Sequence, residues 1–346
     1  MRHDLGDRAR KILEAVIQDY IMTAEPVGSR ALVKRHGIDL SPATIRNVMA
    51  DLEEMGFLTQ PHASAGRIPT DRGLRYYVDS ILEVKDISTQ EQELIRRGFA
   101  DITPEVAHLL KHSSKVLSTV SRHIGLVLAP KFSRLKLKQI EFIRLDRRLI
   151  LVIMVGESGL IQNRIIEADE ELTQEDLDGF NRYLNDILGG LTISEMKVKV
   201  VEEMRREKNR FDDMLSRALA LSRKVFETDS DENDIYIEGQ VHLFDYPEFA
   251  DVTAMKAIFK AFEDKSILVK LLDKTLTGSG VQIFIGSENE LAEMPGFTLI
   301  ASRYSRGSIP LGTLGVLGPT RLNYSRIIPV VDFTARLVSH ILESDL

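Results

Sequence analysis

Apolar residues recur at helical spacing through the first eighty residues and at strand spacing from residue 124, so the chain changes character along its length. Ile12, Leu13, Val16, Ile17, Tyr20 and Ile21 predict a helix over 8–23, which Glu25-Pro26 ends. Val27 to His36 reads as a second, short helix entered at Gly28-Ser29. Its Leu32 and Val33 point inward, and Arg30, Lys34 and Arg35 are free to meet phosphate. After the turn Gly37 to Leu40, Ser41 has the hydroxyl of an N-cap and Pro42 suits the first helical turn, where its missing N–H has no partner. Ile45, Val48, Met49, Leu52 and Met55 then form one stripe, and Gly56 supplies the C-terminal cap. Phe57 to Gln60 and Arg67 to Thr70 read as extended segments around the turn-rich 61–66, a hairpin with a small tip. A helix over 71–82 follows, with Leu74, Tyr77, Val78 and Ile81 inward.

The third of these helices has a dry face and a wet one. Near its N-terminus the wet face carries Ala43, Thr44, Arg46 and Asn47, the group types that read base edges in a major groove. Asp51, Glu53 and Glu54 come only later, a polarity suited to a helix entering DNA by its N-terminal end. Three helices followed by such a hairpin predict an N-terminal winged helix-turn-helix. The expected DNA-binding set is Ser29, Arg30, Ser41, Ala43, Thr44, Arg46 and Asn47, with His62, Ser64, Gly66 and Arg67 from the hairpin. Short helices around a glycine turn also occur in domains that never touch DNA; the hairpin with Arg67 favours the DNA reading.

Residues 83–102 are polar and charged and read as a linker containing a short helix around Thr89 to Phe99. Thr103-Pro104-Glu105 starts a helix that continues to about Thr119. Its His108 and His112 stand four apart, but no third ligand is evident nearby, so helix surface is the better account than a metal site. Strands are predicted at 124–129, 137–145, 149–156 and 161–166. A capping box at Thr173 and Asp176 opens a helix ended by Gly189-Gly190. Strands resume at 281–286, 297–304 and 309–317, before a final helix over 331–342. Residues 191–277 interrupt this pattern with a long charged helix over about 201–227, the acidic loop 229–234, a strand-rich piece at 235–244 and helices after Pro247, and read as an inserted domain. Phe211, Leu215, Leu219, Phe226, Phe259 and Phe262 are its candidate apolar surface. The acidic loop begins like a calcium loop but carries Asp234 where glycine is required and Gln240 where a bidentate glutamate is required.

The stretch DLSPATIRNVMADLEEMGFLTQPHASAGRIPT with DRGLRYYVD, and near the other end SRGSIPLGTLGVLGPTRLNYSRIIPVVDFTARLVSHI, closely resembles the HrcA family of heat-inducible transcription repressors. The resemblance implies a winged helix over 1–82, a GAF-like sheet domain over 103–190 and 278–346, and a dimerisation insert over 191–277, an α+β chain throughout. It also implies a homodimer that binds an inverted-repeat operator upstream of chaperone operons, with repression dependent on the chaperonin.

Composition narrows the alternatives. The chain has 346 residues, 43% hydrophobic residues and no cysteine, so cysteine nucleophiles and disulfides are excluded. Its longest apolar run, Leu149 to Val155, is a strand's length, and no membrane span or signal peptide is expected, which makes a cytoplasmic protein the simplest reading. Net charge is −7, yet residues 1–80 carry 11 Lys+Arg against 11 Asp+Glu. DNA binding would therefore rest on a local cluster such as Arg46, Arg67, Arg72 and Arg75 rather than on a general basic field. No catalytic constellation, cofactor motif or metal set is expected. Gly312, Gly315 and Gly318 lack a following Gly-Lys-Ser/Thr and read as backbone packing rather than a phosphate loop. The runner-up function is a small-ligand-responsive DNA-binding regulator of GAF type.

Overall fold

A computed structural model of the chain describes residues 5–100, 105–131, 134–207, 213–227, 235–250, 252–289 and 296–344. They form two compact units, residues 1–129 with 234–345, and residues 130–233.

The first unit begins with α1 (Asp7–Thr23), α2 (Ser29–His36) and α3 (Pro42–Glu54), then the two-residue strands β1 (Leu58–Thr59) and β2 (Ile68–Pro69), paired antiparallel. The stripes Ile12, Leu13, Val16 and Ile17, Leu32, and Ile45, Met49 and Leu52 close on one another as a small core, sealed by Phe57 and Leu58. Asp19 of α1 is fully buried and lies 3.1 Å from the Arg35 guanidinium and 2.9 Å from His36 Nε2, which ties α1 to α2. A buried carboxylate is tolerated only with such partners. α4 (Asp71–Tyr76), capped by the Thr70 side chain, runs into a π-helical turn at Tyr77–Ile81. The segment expected to be a linker is packed: Ile87, Ile95 and Phe99 are buried around α5 (Thr89–Gly98).

Next come α6 (Val106–Ser121) and β3 (Ile124–Leu128). After the second unit, the chain adds β7 (Ile235–Glu238), α10 (Val252–Glu263), α11 (Lys265–Thr275), β8 (Val281–Ile285), β9 (Phe297–Arg306), β10 (Ile309–Pro319) and α12 (Tyr324–Ser344). The five strands make one antiparallel sheet, ordered β7-β3-β10-β9-β8. α10 and α11 cover one face, over Leu126, Leu128, Leu299 and Leu317. α6 and α12 pack against the sheet as well. Burial on both faces explains why β10 is apolar almost throughout. A Cβ on Gly312 would come within 2.3 Å of Leu128 O, and one on Gly315 within 2.6 Å of Ile300 O, so these glycines admit neighbouring backbone.

The second unit holds β4 (Leu137–Arg144), β5 (Leu149–Gly156) and β6 (Ile161–Glu167) as an antiparallel sheet ordered β4-β5-β6, with α7 (Gln174–Leu188), α8 (Ile193–Glu207) and α9 (Asp213–Glu227). Phe142, Val152, Met154, Phe180, Leu184, Met196 and Leu219 share its core. The capping box forms, with Thr173 and Asp176 each accepting from the other's backbone N–H. Asn181 and Asn185 of α7 hydrogen-bond the backbone of Phe142 and Ile140 on the free side of β4.

The strands fall where the apolar runs and turn residues place them, but they do not join one sheet. The expected division at 191 and 277 differs from the compact units, for a topological reason. β3 and β7 pair directly, with Leu128 opposite Ile235, so the chain leaves the five-stranded sheet at Leu128 and re-enters it beside the same residue. Everything between is excised as one unit, β4, β5 and β6 included. The expected single helix over 201–227 is α8 and α9. The acidic loop 229–234, Thr103-Pro104 and Phe211 lie outside the described residues, as do the side chains of Leu215 and Phe226. Leu219 and Phe262 are core residues of their own units rather than free surface. His108 and His112 stand with ring centroids 6.2 Å apart, and no cluster of three metal-ligating side chains occurs among the described residues. Nor is any described helix long and apolar enough to cross a membrane.

Candidate nucleic-acid interface

α3 is defined at both ends by its own sequence. Thr44 N–H donates to Ser41 Oγ at 3.1 Å, and the two hydroxyl oxygens lie 2.9 Å apart. At the other end Gly56 takes φ +77°; its N–H donates to Glu53 O and that of Phe57 to Leu52 O, both at 2.9 Å, a Schellman closure. These caps set the length of the helix, while Ile45, Met49 and Leu52 set its rotation. The opposite face therefore leaves Ala43, Arg46 and Asn47 exposed, with Thr44 half-buried beside the cap. Arg46 has no ion-pair partner among the described residues, so its guanidinium is available to an acceptor outside the chain.

The hairpin is anchored at its base. Val27 N–H donates to Arg67 O and Arg67 N–H to Val27 O, each at 2.9 Å, which joins the α1–α2 connection to the second hairpin strand. Gly66 makes this approach possible, since a Cβ there would lie 2.4 Å from the carbonyl of Val27 and 2.8 Å from Pro26 C. The Gln60 side-chain amide donates to Ala63 O and Ala65 O at 3.0 and 2.9 Å, closing the tip from inside. His62 and Ser64 are exposed at that tip.

The expected cations and polar groups are not equally free. Arg67 does not project beside the tip: its guanidinium lies 2.8 Å from the Glu53 carboxylate and is only 18% exposed, bracing the hairpin against the C-terminal half of α3. Arg35 is engaged by Asp19. Arg72 lies over the Phe57 ring, 4.9 Å from its centroid. Arg75 points to the sheet body, where its Nε donates to Glu288 Oε1 at 2.8 Å. Of the expected arginine cluster only Arg46 remains on the exposed face of α3, with Arg30 and Lys34 of α2 also exposed. Ser29 is buried at the start of α2 and makes no capping bond. Sequence reasoning missed Asp19, Glu53 and Gln60: Asp19 and Glu53 act on partners from other elements and leave no local periodicity, and the bonds of Gln60 to Ala63 O and Ala65 O depend on the turn that the tip adopts. It also read Arg67 and Gly66 by residue type, whereas their neighbours decide what they do.

The chain matches the model of the HrcA protein C-terminal domain over residues 107–328. It is 52% identical over 341 residues to the heat-inducible transcription repressor HrcA of Syntrophobacter fumaroxidans, covering 98% of each chain. With the protein of the same description from Geobacter sulfurreducens it shares 51% identity over 342 residues and 99% of each chain. A crystal structure described as that of a hypothetical protein covers 99% of both chains at 24% identity with a TM-score of 0.58, a likeness of fold. Matches of this extent and identity establish that the chain belongs to the HrcA family of heat-inducible transcription repressors.

Proposed function

We propose that the protein represses heat-shock operons by binding an inverted-repeat operator as a homodimer, through an N-terminal winged helix-turn-helix carried on a GAF-like sheet domain. The observation that carries the reading is the exposed row Ala43, Arg46 and Asn47 at the capped N-terminus of α3, beside a hairpin braced to the same helix. Arg46 and Asn47 carry donors and acceptors suited to guanine and adenine edges, and Arg30 and Lys34 of α2 offer charge to phosphates. His62 and Ser64 reach a groove or backbone from the tip. In a gel shift with the inverted repeat and a competitor duplex, Arg46→Ala and Asn47→Ala each reduce operator preference by roughly 1–3 kcal/mol. Normal operator binding by Arg46→Ala would mean that α3 does not read sequence.

One reading head offers few base contacts, and two-fold symmetry doubles them on paired half-sites. The second unit offers an apolar face for contact between the two copies. β5 is apolar on both sides, and only one is covered by α7–α9. On the other, the register aligns Ile143, Leu151 and Ile165 in one row, and Val155 with Ile161 in another. Ile161 and Ile165 are 67% and 63% exposed, an aliphatic face of the kind that marks an interface. The dimerisation role is thus assigned to residues 130–233. Ile161→Lys/Ile165→Lys yields a monomer by sedimentation with weakened operator binding; a dimer of unchanged affinity rejects this face.

Repression is further proposed to follow chaperonin availability. β3 must wait for β10 and β7, both synthesised after the whole second unit, and such non-local pairing folds slowly through aggregation-prone intermediates. In a purified system at constant temperature, chaperonin with ATP raises the active fraction and an unfolded competitor reverses the gain. An active fraction that follows temperature alone favours direct unfolding. The small-ligand alternative has one feature in its favour, a cleft of about 600 Å³ lined by Phe244, Tyr246, Phe249, Met255 and Phe259.

A further inference from the structure

The segment DRGLRYYVD follows the hairpin directly, and two of its charged residues, Asp71 and Arg75, dock α4 on the loop after β8. Asp71, the first residue of α4, accepts from Ser287 N–H and from Ser287 Oγ, both at 2.9 Å. One turn later Arg75 grips Glu288 with two nitrogens, one at 2.8 Å, and also donates to Ile283 O at 2.5 Å. Gly286 sits at φ +52°, and a Cβ there would fall 2.2 Å from the Asp71 carboxylate, so the loop has a gap where the helix enters. The loop is braced from behind: buried Asn289 donates to Gly286 O and Phe297 O at 3.0 and 2.6 Å, and Ile285 N–H donates to Glu288 at 2.8 Å. A second tie joins the sheet body to the end of α1, where Arg321, paired with Glu248, reaches Ile21 O at 3.4 Å.

A bidentate arginine pair with backbone bonds on either side fixes direction as well as distance. The exposed residues of α3 are absent from these contacts, so the clasp orients the head without covering it. We propose that Asp71 and Arg75, with Gly286, Ser287 and Glu288, are positioning residues that hold the reading head at one angle on the sheet body and thereby narrow the range of half-site separations a dimer accepts. This rests on the DNA-binding dimer proposed above. The head is then no free tether searching for half-sites. Spacing becomes part of specificity, because a rigid head off by half a helical turn faces the wrong side of the duplex.

The test uses the full chain and operators whose half-sites stand at the native separation or are moved apart by about five base pairs, half a helical turn. In the wild type the insertion weakens binding tenfold or more. In Arg75→Gln/Ser287→Ala that penalty shrinks at least threefold while affinity for an isolated half-site stays unchanged, and Arg75→Lys, which keeps the charge but not the fork, falls between. An unchanged penalty overturns the proposal, as does tighter binding at native spacing with unaltered selectivity, which would make the contact an inhibitory one. A readout without DNA keeps the clasp testable if the operator reading fails. Because the chain has no cysteine, Met22→Cys on α1 and Leu94→Cys on α5 accept spin labels alone. Their distance distribution is narrow in the wild type and broad in Arg75→Gln, and equal widths overturn the clasp. Absence of operator binding in the wild type would overturn the proposed function and leave the distance result to judge the clasp.

Discussion

Replacing Gly66 by alanine separates two roles that a glycine in a DNA-binding hairpin can have. If its smallness serves approach to DNA, the substitution leaves the free protein unaltered and weakens binding. The structure gives the other role, because the added Cβ would sit 2.4 Å from Val27 C and O, and backbone cannot yield as a side chain tip can. Relief requires the hairpin to move off the α1–α2 connection, breaking the two 2.9 Å bonds between Val27 and Arg67. Two hydrogen bonds contribute about 1 kcal/mol each, and overpacking adds about 1 kcal/mol at the low end of its range, so the contact weakens by at least roughly 3 kcal/mol. That corresponds to about a hundredfold faster amide exchange at Val27 and Arg67 under conditions where exchange follows local opening. Exchange measured by NMR or mass spectrometry should show this gain in the hairpin and the 26–28 segment, with the α7–α9 amides as internal controls. Under the proposed DNA-binding role operator affinity falls with it, since the hairpin tip is displaced. Unchanged protection at Val27 together with weaker binding would refute the packing argument and return Gly66 to a role at the DNA surface.

Arg67→Met should loosen the same hairpin through loss of the Glu53 pair, yet leave the salt slope of operator binding as it is; a slope lower by about one would reveal a phosphate contact. Ser41→Ala removes the α3 cap and should destabilise the head by about 1 kcal/mol in urea unfolding, with a matching loss of operator affinity; no change in either rejects the cap as an organiser of the helix. His123 is held neutral, its pKa brought down to about 4, first by burial and then by the nearby positive charges, against the Ser121 carbonyl that favours the proton. A histidine with a depressed folded pKa contributes stability that is full above its unfolded value near 6.5 and is lost as pH falls towards 4, here at most about 3 kcal/mol. His123→Gln should flatten the pH dependence of unfolding between pH 6.5 and 4, and an equally steep profile in the variant would exclude His123 as its source.

The sequence by itself determined what is local. The caps Ser41, Gly56 and Thr173, the stripes that bury α1 and α3, and the apolar runs of β4–β6 and β8–β10 involve residues within a few positions of one another, so backbone geometry and solvent exposure suffice to place them. The family was equally legible, since its motifs lie in two continuous stretches. Tertiary structure decided which strands share a sheet, because an apolar run states that a strand is buried and says nothing of its neighbour. Only the pairing of Leu128 with Ile235 reveals where the inserted unit begins and ends. It also decided which cations are free. Arg46, Arg67, Arg72 and Arg75 are alike in sequence, but Glu53, the Phe57 ring and Glu288 occupy three of them, and those partners are brought up by folds of the chain that no spacing rule encodes.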